Sequence, residues 1–142
     1  MTRKFILAGA SVVLVVSEGD LLVVVRQHRA GADGEVLELP AGTLEPGETV
    51  RECADRELAE ECGLAVSQWT ELRSFWAAPA YSREKVTVLA GEAAGTATGT
   101  PDPDESIAVE RIPETEAATL LEDATSLAAL ALVSGRPAHS RA

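Results

Sequence analysis

Positive charge is scarce in this sequence: 12 lysines and arginines stand against 23 aspartates and glutamates, a formal net charge of −11. Long nucleic acids attract proteins through clustered cations, so a nucleic-acid polymer is not an expected partner. Any polyphosphate ligand would need metal ions or a few local arginines to reverse the field. Cysteine is sparse too. Cys53 and Cys62 fall on one expected helix, about 13 Å apart on opposite faces, and cannot pair there. The sequence also lacks a signal-peptide pattern and any apolar run long enough to span a membrane. With no disulfide framework, these absences point to a reducing compartment, the cytoplasm, and to no membrane partner. Histidine occurs only twice, and neither His28 nor His139 has a partner at metal-site spacing, so neither is needed as a ligand. No internal repeat or linker divides the 142 residues. A single domain over 1–134 is expected, with a disordered tail over 135–142.

What the sequence does have is β-branched and alanine-rich patterning, with 46% hydrophobic residues to fill one core. Phe5 to Gly9 and Ala10 to Val16 run into the turn Ser17-Glu18-Gly19-Asp20, and Leu21 to Gln27 resumes the run, as in a strand, tight turn and strand. Such continuous Val and Leu runs suit strands covered on both faces, so helices are expected on either side of a sheet. Ala30 to Glu35 reads as a Gly-rich turn, Val36 to Leu39 as a short strand and Pro40-Ala41-Gly42 as a bend. Thr49 and Glu52 form a capping box for a helix from Val50 to Cys62, which Gly63 stops. Trp69 to Ala77 and Lys85 to Ala90 read as strands, followed by a flexible Gly, Thr and Pro loop to Asp104. Ile107 to Ile112 is a last strand, and Glu114 to Val133 one amphipathic helix begun near Pro113.

In the central helix Glu57, Glu60 and Glu61 stand three and four residues apart, so their carboxylates share a face. Three anions there repel one another unless a cation joins them. Hard oxygen donors on a short helix suit magnesium, which keeps several waters and draws its remaining ligands from substrate phosphates. The bland alternative is a solvated acidic face.

Gly42 to Leu64 reads GTLEPGETVRECADRELAEECGL and fills every specified position of G-x5-E-x7-R-E-U-x-E-E-x-G-U, where U is aliphatic. In this the chain resembles the Nudix hydrolase family. The resemblance implies an α+β fold, an α/β/α sandwich around a central mixed β-sheet, and a pyrophosphohydrolase using Mg2+, with Mn2+ as a substitute. It implies Glu57 and Glu61 as principal metal ligands, Glu60 as an accessory one and the Ala41 carbonyl completing the set. Arg56 and Glu48 are expected to pair and brace the loop, while Gly42, Gly47 and Gly63 shape it.

Outside the motif, Glu38-Leu39-Pro40-Ala41-Gly42 resembles the E-L-P-A-G lead-in of ADP-ribose pyrophosphatases, and Arg26-Gln27-His28-Arg29 resembles their Q-Y-R segment with His for Tyr. Arg29 and Glu38 are therefore expected at the substrate, Arg29 on a phosphate or terminal ribose. Ala78 to Glu84 resembles their S-P-G-x-S-x-E loop, with Ala78 and Ala80 as departures, which brings in Pro79 and Glu84. Glu105 stands where related enzymes place an acidic residue that activates water or helps hold metal. Tyr81 has the spacing of a tyrosine in diadenosine-polyphosphate hydrolases, where a phenol could stack on adenine. ADP-ribose, giving AMP and ribose 5-phosphate, is the favoured small-molecule substrate. The rivals are nucleoside triphosphates, dinucleoside polyphosphates or nucleotide sugars, and, in another class, a module that senses a nucleotide without cleaving it. A homodimer is allowed, with the terminal helix as one surface for it.

Overall fold

Valine and leucine fill both faces of β1 (Ala10–Glu18) and β2 (Leu21–Arg29), and Val12 to Val16 and Leu22 to Val25 are all buried. The computed structural model describes residues 9–103 and 106–134. Gly19, at φ 59°, allows the tight reversal between the two strands. They pair through Ser17↔Leu22 and Glu18↔Leu21 and then diverge. The next stretch of chain fills the fork. β3 (Gly34–Glu38) pairs with β2, and β4 (Ala41–Thr43) pairs with β1. Pro40, between them, accepts a hydrogen bond from Leu14 N–H at 2.9 Å, and Leu44 N–H donates to the Ala10 carbonyl at 2.9 Å. This fork carries Glu38 to Thr43 to the mouth of the sheet.

Among the described residues the mixed sheet has eight strands, and the rest of it builds outward. β8 (Ile107–Pro113) adds antiparallel to β2. On the other side β7 (Lys85–Thr96) runs parallel to β1. β5 (Leu64–Val66) and β6 (Thr70–Trp76) both pair antiparallel with β7. Alternate residues of each strand face opposite cores. Val12, Leu14, Val16, Val23 and Leu89 pack with Cys53, Ala54 and Leu58 of α1 (Val50–Cys62). Val13, Val15, Leu22, Val24, Val86 and Val88 pack with Ala117 of α2 (Ala117–Leu120) and with Ala129, Leu130 and Val133 of α3 (Ala124–Ser134). The α/β/α sandwich expected from the Val and Leu runs is therefore present.

Three expectations about elements are corrected. Ala41 and Gly42, read as part of a bend, belong to strand β4, because β1 offers them partners thirty residues away in sequence. Leu64 to Val66 form a strand that was not foreseen, and β7 continues past Ala90 to Thr96 because β5 pairs with its extension. The terminal helix is not continuous: Leu121 turns extended at ψ 139°. Glu122 N–H then donates to the Leu37 carbonyl, and Leu37 N–H to Glu122 Oε1. Asp123 restarts the helix by accepting from Ser126 N–H at 3.2 Å. The N-terminal residues 5–8 and the tail 135–142 lie outside the described residues. Among the described residues no helix is long and apolar enough to cross a membrane.

Candidate active site

Helix α1 is fixed at both ends. Thr49 Oγ1 accepts from Glu52 N–H at 3.1 Å, and Glu52 Oε1 accepts from Thr49 N–H at 3.0 Å. At the other end Gly63, at φ 66°, donates its N–H to Ala59 at 3.0 Å. Both halves of the expected capping box and the glycine stop are therefore in place. With Cys53, Ala54 and Leu58 fully buried on the sheet, the neighbouring face of α1 turns Glu57, Glu60 and Glu61 toward the β3–β4 fork.

There a cleft of about 780 Å³ opens, and Arg29, Glu38, Ala41, Gly42, Arg56, Glu57, Glu60, Glu61 and Glu84 all line it. Residues separated by up to 55 positions in sequence thus meet around one cleft. β4 lies so close to α1 that a Cβ on Gly42 would overlap the carboxyl carbon of Glu57. The absence of a side chain at Gly42 is what leaves room for that carboxylate.

Arg56 is the hub of the acidic face. Its Nε and Nη2 donate to Glu48 Oε2 and Oε1 at 2.8 and 2.9 Å, a bidentate pair. Its Nη1 donates to Glu57 Oε1 at 2.8 Å and to Glu60 Oε2 at 3.3 Å, and Nη2 also reaches the Thr43 carbonyl at 3.0 Å. Glu48 in turn accepts from Glu45 N–H at 3.0 Å. The Arg56 hydrogen bonds hold the Glu48 carboxyl down to about 2. Burial pushes the Glu57 carboxyl up from its ordinary value, against a hydrogen bond with Glu61 and the charge of Arg56. Burial likewise pushes the Cys53 and Cys62 thiols up to about 12, away from the reactive thiolate form.

The opposite wall holds Arg29, whose Nε and Nη2 donate to Glu38 Oε2 and Oε1 at 2.7 and 2.9 Å. Glu38 is buried, while the Arg29 side chain is half exposed at the cleft. Glu84 accepts from Ser11 Oγ at 2.8 Å.

Two expected substrate residues are placed elsewhere. Pro79 and Tyr81 sit in a turn closed by Tyr81 and Ser82 N–H donating to the Ala78 carbonyl. Tyr81 is 53% exposed and neither residue lines the cleft. Glu105 lies outside the described residues. Conversely, Ser11, Gln27, Asp102 and Asp123 line the cleft without having been singled out as site residues. Strand parity was the available signal for the first two, since Ser11 shares a face with Val13, and Gln27 with Arg29.

In charge the cleft is lopsided, with eight carboxylates (Glu38, Glu45, Glu57, Glu60, Glu61, Glu84, Asp102, Asp123) against Arg29 and Arg56. Among the described residues no three acidic, histidine or cysteine side chains converge as a ready-made metal cage; Glu57 and Glu60 instead lean on Arg56. The donor set nevertheless fits a divalent cation that prefers oxygen and keeps part of its water, because that ion needs only a few protein carboxylates.

A NUDIX domain family model matches residues 6–131. The ADP-ribose pyrophosphatase of Bacillus subtilis (strain 168) is 36% identical over 84 residues, 59% of this chain and 45% of that protein. The ADP compounds hydrolase NudE of Escherichia coli (strain K12) is 30% identical over 113 residues, 80% of this chain and 61% of that protein. The chain thus spans about half the length of the curated relatives it matches. A crystal structure of an ADP compounds hydrolase superposes with a TM-score of 0.79 at 26% identity, covering 88% of this chain and 70% of that one.

Proposed function

The chain belongs to the Nudix family, and from that premise we propose that it is a divalent-metal-dependent pyrophosphohydrolase that cleaves ADP linked to a second moiety, with ADP-ribose as the favoured substrate. The observation that carries this reading is the charge of the cleft. Eight carboxylates facing two arginines, each arginine already held by glutamate, would repel a diphosphate unless cations enter with it.

Glu57 and Glu61 would hold magnesium, with Glu60 beside them and the Ala41 carbonyl at the edge of β4. Bound magnesium supplies positive charge to the diphosphate oxygens and makes water more acidic, and manganese is an expected substitute. Gly42 keeps the space into which the Glu57 carboxylate fits. Arg56, steadied by Glu48, fixes the direction of Glu57 and Glu60. Arg29, oriented by Glu38, presents its exposed edge to a phosphate oxygen or a ribose hydroxyl. Glu105 is the group we assign as base. Attack of water on one phosphorus breaks the P–O–P bridge and releases AMP and ribose 5-phosphate. The absence of a disulfide, with Cys53 and Cys62 both free, supports a cytoplasmic setting.

The relatives' names support ADP compounds over nucleoside triphosphates. The test is product analysis with magnesium across ADP-ribose, nucleoside triphosphates, diadenosine polyphosphates and nucleotide sugars. AMP released preferentially from ADP-ribose supports the assignment. Preference for another compound keeps the roles of Glu57 and Glu61 and overturns the substrate. No turnover of any compound would mean a nucleotide-sensing module.

A further inference from the structure

Beyond β7 the chain does not swing free but returns across the helix that bears the carboxylates. Ala97 N–H donates to the Gly63 carbonyl at 3.0 Å, which ties the segment to the C-terminal cap of α1. Two residues on, Gly99 lies against the helix backbone itself. A Cβ at Gly99 would stand 2.6 Å from Glu60 N, 2.7 Å from the Ala59 carbonyl carbon and 2.8 Å from Glu60 Cα. These atoms belong to a hydrogen-bonded helix rather than to a flexible side chain, so they cannot step aside. Thr100, Pro101, Asp102 and Pro103 then line the cleft. Pro101 and Asp102 also close a small cavity of about 130 Å³ over Glu57, Glu60 and Glu61.

We propose that Gly99 is a positioning residue that seats residues 100–103 as a fixed wall of the cleft above the α1 carboxylates. Two prolines in four residues limit the conformations of that wall, and the glycine sets its distance from the helix. The wall confines the phosphate end of the substrate, so its placement governs affinity more than the chemical step. This rests on the reading of the cleft as a pyrophosphohydrolase site.

The test compares Gly99→Ala, the neighbouring control Thr98→Ala and the double variant Pro101→Gly/Pro103→Gly with the wild type. The readouts are KM and kcat for ADP-ribose with magnesium and, independently of activity, amide hydrogen exchange of segment 97–103. For Gly99→Ala, KM should rise at least about tenfold while kcat stays within about threefold, the pattern of lost binding. Exchange in 97–103 should speed up while that of β1 and β2 is unchanged. The double proline variant, which leaves the helix contact intact and alters only exposed residues, should also raise KM, and Thr98→Ala should change nothing. Wild-type KM in the proline variant overturns the wall, whatever Gly99→Ala does. Unchanged exchange in a folded Gly99→Ala protein overturns the seat. If the wild type cleaves nothing in the panel but exchange in Gly99→Ala rises as stated, the seat stands and the reading of the cleft fails instead.

Discussion

Helix α1 presents two neighbouring faces of opposite chemistry. On one, Cys53, Ala54 and Leu58 are sealed against the sheet with no exposure at all. On the other, Glu57 and Glu60 keep 14% and 30% of their side chains accessible and meet a guanidinium instead of a core. The apolar face sets where the helix lies, and the acidic face uses that position. Stability and activity should therefore separate along a helix of only 13 residues.

The largest expected effect is on the apolar face. Leu58→Ala should cost about 2–5 kcal/mol of unfolding free energy, because a fully buried side chain leaves a cavity between α1 and β1. Denaturant unfolding measures it, and a loss under about 1 kcal/mol would erase the distinction between the faces. Next comes the acidic face: Glu61→Gln should lower turnover at least about 100-fold, equivalent to about 2.7 kcal/mol, while the unfolding midpoint stays put. Full activity in that variant would remove the proposed metal site.

Gly42→Ala sharpens the comparison at the seam between the faces. The added methyl collides with the flexible end of Glu57 rather than with backbone, so the fold should survive and turnover should fall about tenfold or more. An inactive and unfolded variant would show that Gly42 serves the fold instead.

Glu48→Gln probes the brace by pH. Its carboxyl titrates near 2 in the folded chain against an ordinary 4.5. The stability it adds is therefore complete above the ordinary value and is lost as pH falls through about 2. The variant should be less stable than wild type by about 1–2 kcal/mol at neutral pH, and the gap should close on acidification. A gap independent of pH would place the effect elsewhere. Smallest of all, Tyr81→Ala should leave KM within about twofold, since an exposed turn residue outside the cleft has little to lose.

Helix α1 and the elements around it were unequally legible in the sequence. The helix, its capping box and its glycine stop could be read locally because each is a contact within a few residues. The three glutamates could be placed on one face by spacing alone, and the pairing of Arg56 with Glu48 followed from family resemblance. What could not be read was set by partners far along the chain. β4 exists because β1 receives it, β5 because the extension of β7 receives it, and the break at Leu121 because Leu37 takes up Glu122. Pro79 and Tyr81 fit a motif in sequence, but a local turn takes up that part of the loop, and of the three residues the motif brought in only Glu84 lines the cleft. Asp102 carried no signal of its own, because its position depends on how closely Gly99 approaches α1.

The central claim, that the acidic face of α1 exists to hold a divalent cation, is tested most directly by calorimetric titration of manganese into the wild type and Glu57→Gln. Saturable binding to the wild type, weakened at least about tenfold in a variant of equal thermal stability, is the predicted result. Equal affinity in both proteins would contradict it and leave the acidic face as a partner for Arg56 alone.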